Sequence, residues 1–132
     1  MVETRGYTYF AIATDNAELE LSEFKKYLTI APTKFEKMFE RGTVPKFTKW
    51  KYASGELKNP HFFEEVEKLI TALHPYKEEF KKLKVAYPDL NFFLEVVIYL
   101  GDESPGLHFS NTTIEFLNYL GAEIDCDIYN DK

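Results

Sequence analysis

Residues 122–129 read AEIDCDIY. Ile124, Cys126 and Ile128 alternate with Asp125, Asp127 and Tyr129, a two-residue period that predicts an extended strand over 122–129. The period puts Asp125 and Asp127 on one face, about 6.6 Å apart along the strand. Two carboxylates so placed suit a hard cation or an acid–base pair. They also suit a solvent face, paired across strands with Lys49 and Lys51, or an edge that repels incoming strands. The solvent-face reading is the simpler one. It turns Ile124, Cys126 and Ile128 to the core and makes Cys126 a buried, inert thiol. A metal would need further ligands, and Glu123, His108 and Asp131 supply them only if the fold brings them in, because no recognised ligand spacing is present.

Working outward, YTYFAIAT (7–14) predicts a strand with Phe10 and Ile12 on one face and Tyr7, Tyr9 and Ala11 on the other. FTKWKYAS (47–54) predicts a second, with Trp50 and Tyr52 opposite Lys49 and Lys51. NFFLEVVIYL (91–100) is apolar on both faces, as a strand inside a sheet is. Leu107 to Phe109 suggests one more short strand.

Ser22 is placed to cap a short helix holding Phe24, Tyr27 and Leu28, which Pro32 ends. Thr33 and Glu36 have capping-box spacing, predicting a helix with Phe35, Met38 and Phe39 on one side and Gly42 as its stop. Asn59-Pro60 predicts the start of a long helix carrying Phe62, Val66, Leu69, Ile70 and Leu73. That helix should kink near His74-Pro75 and continue through Tyr76, Phe80, Leu83 and Tyr87. Ser110 or Asn111 caps a last helix with Ile114, Leu117 and Leu120, ended by Gly121.

Strands and helices in this order predict an α+β fold: a two-layer sandwich, a mostly antiparallel sheet with helices packed on one face, in a single domain over 1–132. FKKYLTI (24–30) and FLNYLGA (116–122) share F-x-x-Y-L, each after a strand and a polar loop. Two strand–helix units related by duplication and a chance likeness of two amphipathic helix ends both account for it.

With 132 residues, 45% hydrophobic and 17% aromatic, the chain can bury a core built largely of rings, and intrinsic disorder is excluded. Its one cysteine allows no internal disulfide. No stretch reaches the roughly 20 apolar residues of a membrane span, and MVETRGYTYFAIATDN lacks the charged start and long apolar run of a signal peptide. A cytoplasmic location is the expectation. The net charge of −6 is unevenly spread. Residues 34–84 carry 12 basic and 8 acidic side chains, whereas 102–132 carry 1 and 7, a sidedness that could orient a charged partner.

No catalytic constellation emerges. His61, His74 and His108 lack metal-ligand spacing. Ser110, in GLHFSN, lacks the glycine-flanked elbow of a hydrolase nucleophile, and no glycine-rich phosphate cradle exists. Neither a cofactor nor a metal is expected. In 34–52, Lys34, Lys37, Arg41, Lys46, Lys49 and Lys51 interleave with Phe35, Phe39, Phe47, Trp50 and Tyr52. Basic side chains with stacking rings can hold single-stranded RNA, but the acidic total weighs against nucleic acid.

The favoured surface is the sheet face away from the helices, presenting Tyr7, Tyr9, Lys49, Lys51, Tyr99, Asp125, Asp127 and Tyr129. Tyrosines among mixed charges are typical of binding surfaces. The expected function is therefore a non-catalytic module that binds another protein. The alternatives are a metal-assisted hydrolase or small-ligand enzyme using Asp125 and Asp127, and RNA binding through 34–52.

Several pieces in order, namely YTYFAI, LTIAP (28–32), Gly42, Trp50, EVVIYL, PGLHFS and IDCDIY, resemble the bacterial family called domain of unknown function 4279. The likeness covers about residues 5–129 and rests on the L-x-I-x-P and D-x-D-I-Y pieces and on their order. The chain departs from the family at Thr29, where glycine is usual, and its 33–49 segment looks longer and more helical. The resemblance implies a small bacterial intracellular protein with no assigned reaction. By analogy with other small single-domain proteins, it suggests an immunity or accessory protein.

Overall fold

A computed structural model describes residues 2–130. The elements are β1 (Arg5–Thr14), α1 (Leu21–Lys25), β2 (Lys34–Glu36), β3 (Thr48–Lys58), α2 (Glu64–Leu73), a 3₁₀ turn (His74–Tyr76), α3 (Lys77–Ala86), β4 (Asn91–Leu100), α4 (Asn111–Leu120) and β5 (Glu123–Asn130). One five-stranded sheet has the order β2-β3-β1-β4-β5. All its pairings are antiparallel except β4 with β5, which run parallel across the α4 connection. The fold is α+β, with one sheet and a helical layer against it.

β1 is the middle strand, and its alternation sorts the two layers. Phe10 and Ile12 enter the main core with Trp50 and Leu57 of β3 and Phe92, Leu94, Val96 and Ile98 of β4. The helices close this core with Val66, Leu69, Ile70 and Leu73 of α2, Phe80 and Leu83 of α3, and Phe116, Leu117 and Leu120 of α4. Phe80 is the hub. Its ring meets Phe10 at 5.4 Å, Trp50 at 5.7 Å, Phe92 at 6.4 Å and Phe116 at 6.5 Å, all edge-on, the arrangement the aromatic quadrupole favours.

The break between α2 and α3 falls at Pro75, as the lost helical donor requires. Ser110 caps α4, accepting from the Thr113 amide at 3.2 Å. Gly121 ends that helix at φ +64°, with the Ala122 amide reaching back to the Leu117 carbonyl at 2.8 Å.

The segment after Pro32 is not helical. Residues 34–36 form β2, because the Thr33 amide donates to the Lys51 carbonyl at 2.8 Å while its hydroxyl accepts from the Ala53 amide at 3.1 Å. Three alternating residues fit a strand as well as a helix, and the outer edge of β3 decides between them. Phe35 packs edge-on against Phe24 at 5.7 Å and Met38 is buried, but Phe39 is exposed at φ +62° rather than sharing their side. Gly42 sits in a tight turn at φ +81°, not at a helix end.

α1 begins one residue before Ser22, which caps nothing there. The cap position is Glu20, whose side chain pairs with Lys37 at 3.4 Å instead. α2 begins at Glu64 rather than at Pro60. Phe62 enters the core and Phe63 stacks edge-on against Phe109 at 5.6 Å, fixing turns ahead of the helix. The helix then opens on Glu64, Glu65 and Glu67, which favour the positive end of its dipole. Residues 107–109 form no strand.

β3 runs past Ser54 to Lys58 because a register irregularity opposite Thr8 absorbs an extra residue, with Tyr9 opposite Ala53 but Tyr7 opposite Glu56. That shift flips the alternation, so even-numbered Trp50 and odd-numbered Leu57 both reach the core. In the F-x-x-Y-L echo, Phe24 and Phe116 are both core residues, as are Leu28 and Leu120. The connections differ: α4 leads to a strand beside β4, whereas α1 leads to one separated from β1 by β3.

Truncating the ring hub tests this packing. Phe80→Ala should cost about 3–5 kcal/mol, seen as a lower urea midpoint at unchanged m-value, whereas Val85→Ala on the exposed side of α3 should stay within about 0.5 kcal/mol of the parent.

Candidate binding face

On the other side of the sheet, pairing registers put directly opposed residues on a common face. Tyr9 lies opposite Glu95, Tyr7 opposite Val97, Ala11 opposite Lys51 and Ala13 opposite Lys49. Asp125 pairs with Glu95, Asp127 with Val97 and Tyr129 with Tyr99. Tyr7, Tyr9, Lys49, Lys51, Tyr99, Asp125, Asp127 and Tyr129 therefore share one face. The small apolar cluster on this side, Ala11, Ala13 and Phe93 with Tyr9 against it, contains strand residues only, so no helix of the described residues closes it.

Four tyrosines form a ladder across β1, β4 and β5. Tyr9 stacks on Tyr7 at 6.3 Å, Tyr7 tilts against Tyr99 at 6.4 Å, and Tyr99 stacks on Tyr129 at 5.6 Å. Two of its rings carry cations: Arg5 lies over Tyr99 at 4.5 Å and Lys51 over Tyr9 at 4.8 Å. Burial, then the Glu95 charge, pushes the Tyr9 hydroxyl up to about 12, and burial followed by Tyr99 raises that of Tyr7. Both phenols are thus neutral hydrogen-bonding groups near neutral pH. Tyr7 and Tyr129 remain 42% and 53% exposed, leaving ring surface for contact.

The expected cross-strand pairs of Lys49 and Lys51 with Asp125 and Asp127 do not form, because β1 and β4 lie between β3 and β5. Lys51 instead bonds Glu36 of β2 at 2.6 Å, and that pairing lowers the Glu36 carboxyl below its ordinary range. Asp127 has a neighbour that sequence reading passed over. Glu95, inside the apolar run of β4, is 7% exposed and faces this same side. Burial first, then its hydrogen bond to Asp127 and the charges of Asp127 and Asp125, raise it to about 8, with Lys49 opposing. Glu95 is consequently a neutral donor to Asp127 at pH 7. The only signal in the sequence was an acid within NFFLEVVIYL, at an odd position shared with Phe93 and Val97.

The inner side of β5 also departs from expectation. Ile124, Cys126 and Ile128 lie on the helix side of the sheet, in register with Leu94, Val96 and Ile98, yet all three are exposed. β5 is the outermost strand, and the core closes over β4 without reaching it. Cys126 is therefore an accessible thiol, not a buried one. Partial desolvation by its neighbours, then the charges of Glu95, Asp125 and Asp127, hold its pKa above the usual thiol value, so its thiolate fraction is small.

The carboxyls do not assemble a metal centre: among the described residues no three His, Cys, Asp or Glu side chains converge to hold an ion. Asp131 lies outside those residues. A shallow hollow of about 370 Å³ sits at one end of the face, bounded by Ala13, Phe47, Lys49, Asp89, Phe93 and Asp125. The 34–52 segment is largely used internally. Phe35, Trp50 and Tyr52 pack on the core, Lys37 binds the Ala17 and Leu19 carbonyls, and Arg41 pairs with Glu40 at 3.1 Å. Phe39 and Phe47 alone among its rings are well exposed.

These features define an α+β protein with an aromatic, charged sheet face uncovered by helices. The chain belongs to the family described as Domain of unknown function (DUF4279), whose model matches residues 3–131. No curated protein and no solved structure matches it. No helix among the described residues is long and apolar enough to cross a membrane.

Glu95 makes a definite pH signature. Its folded pKa lies above the unfolded value, so its contribution favours folding most below about pH 4.5 and is lost as pH rises to about 8. Glu95→Gln keeps a donor for Asp127 and removes the titration. In urea unfolding the variant should match wild type near pH 4 and exceed it near pH 8.5, by on the order of 2–4 kcal/mol. Parallel curves across this range would show that Glu95 titrates normally.

Proposed function

We propose that this protein is a non-catalytic binding module that takes a protein partner on its open sheet face. The observation that supports this reading most strongly is the Tyr9–Tyr7–Tyr99–Tyr129 ladder, which offers a row of preordered rings across three adjacent strands. Such rings contribute large contact area with little conformational entropy to lose, which is why tyrosine recurs at binding hot spots. Lys51 and Arg5 flank the ladder, while Asp125 and Asp127 lie at its β5 side, so both signs of charge are available to fix a partner's orientation. In this reading the protein works in a bacterial cytoplasm as an immunity or accessory protein does, occupying its partner without transforming it.

Affinity capture from source cells tests the reading. Wild type is compared with a Tyr7→Ala, Tyr129→Ala double variant whose melting temperature stays within about 3 °C of the parent. Partners enriched by wild type should fall at least about tenfold with the variant, as expected when two hot-spot rings are lost. Equal recovery by both proteins would remove the open face from the function.

A further inference from the structure

β5 specifies the chemistry of a partner, provided the binding-module reading holds. Among the described residues only β4 pairs with it, and the backbone donors and acceptors on the outer side of 123–129 face no other strand of the sheet. Its eight residues are all exposed, an open edge about 26 Å long, where edges are ordinarily short or covered. The edge is two-sided. Asp125 and Asp127 line the open-face row. Ile124 and Ile128, 38% and 53% exposed, flank Cys126 on the helix-side row. Beyond Ile128 a hollow of about 200 Å³, bounded by Ile98, Leu100, Pro105 and Leu107, continues the apolar row.

A second copy of this chain is a poor occupant. Antiparallel two-fold pairings that keep both rows in phase and are centred on Ile124, Asp125, Cys126 or Asp127, which overlap most of the strand, set Asp125 or Asp127 opposite an acid of the other copy, and like charges directly opposed destabilise a strand pair. The same carboxylates attract a strand carrying cations in that row. We propose that β5 is a strand-addition site for an extended segment of a partner protein in which Lys or Arg alternates with apolar residues. The cations would face Asp125 and Asp127, and the apolar side chains would lie against Ile124, Cys126 and Ile128. Main-chain bonds hold such a segment and alternate side chains select it.

Cys126, the only thiol in the sequence, reports occupancy from the middle of the strand. The probe is an end-blocked peptide of about nine residues alternating lysine and valine, enough to span the edge. The controls are the same composition in blocks, the alternating sequence with every amide N-methylated, and an alternating glutamate–valine peptide. The alternating lysine peptide should slow iodoacetamide labelling of Cys126 at least about tenfold and protect the amides of 123–130 from exchange. The controls should change labelling by less than about twofold, and Asp125→Asn with Asp127→Asn should weaken the lysine peptide about tenfold. Equal protection by the block or N-methylated peptide would reduce the effect to bulk charge and overturn the proposal. So would sedimentation showing that the free chain already dimerises with Cys126 protected. A Tyr7→Ala, Tyr99→Ala variant, which leaves every residue of β5 in place, separates the two readings. Peptide binding that persists while that variant loses no partner removes the open face alone; partner loss in that variant without any peptide binding removes the edge alone.

Discussion

β1 is paired on both sides, and its two-residue alternation is the constraint from which the molecule follows. Nine positions of β1 are in register with β4 and nine with β3, and every second residue is committed to one layer. Phe10 and Ile12 must lie under the helices, since Phe80, Trp50, Phe92 and Phe116 close around them. Once they do, Tyr7, Tyr9 and Ala11 have no choice but the other side. A slip by one residue would turn the tyrosines into a space filled by rings and expose the phenylalanine. The open sheet face is therefore a by-product of core packing in its placement, though not in its chemistry.

That chemistry has an internal tension. Glu95 sits on a face where Phe93 and Val97, its same-side neighbours along β4, are nearly inaccessible, and two aspartates stand on the adjoining strand. Retaining a proton resolves the conflict between burial and like charge, and the resulting carboxyl-to-carboxylate bond ties β5 to β4 through side chains as well as backbone. This matters because the aliphatic row of β5 is exposed and lies outside the cluster that the helices close. The strand is held by its parallel ladder to β4 and by the α4 crossover.

Much of this organisation was legible in the sequence. The stretches 7–14, 47–54, 91–100 and 122–129 were legible as four strands, and in all but 91–100, which is apolar on both faces, alternation sorted which residues share a side, because alternation is local. The kink at Pro75, the Ser110 cap and the Gly121 stop were legible for the same reason: one residue's backbone chemistry dictates each. The errors lay where tertiary partners choose between local options. Thr33-Lys34-Phe35-Glu36 satisfies a capping box and a strand equally, and only the unpaired side of β3 selects the strand. Alternation likewise tells which residues of β5 share a side but not whether anything covers that side, so Cys126 looked buried. Strand order is invisible in one sequence, and with it the separation of Lys49 and Lys51 from the aspartates.

Strand order also gives Asp125 and Asp127 their meaning. Beside β3 they would have been neutralised by lysines and would have formed an ordinary solvated face. At the rim, with Lys51 already engaged by Glu36, they remain a row of negative charge next to an unfilled hydrogen-bonding edge. Such a row penalises a neighbour bearing the same row and favours one bearing its opposite, so in the proposed strand addition one feature would both limit self-association and select a partner. The aliphatic groups on the reverse side sharpen the choice, because charge alone would accept any polycation, whereas a two-sided edge accepts only a chain whose own alternation matches it. Selectivity of this kind needs no pocket and no catalytic group. It needs a strand fixed in register from one side only, the condition that pairing with β4 imposes on β5.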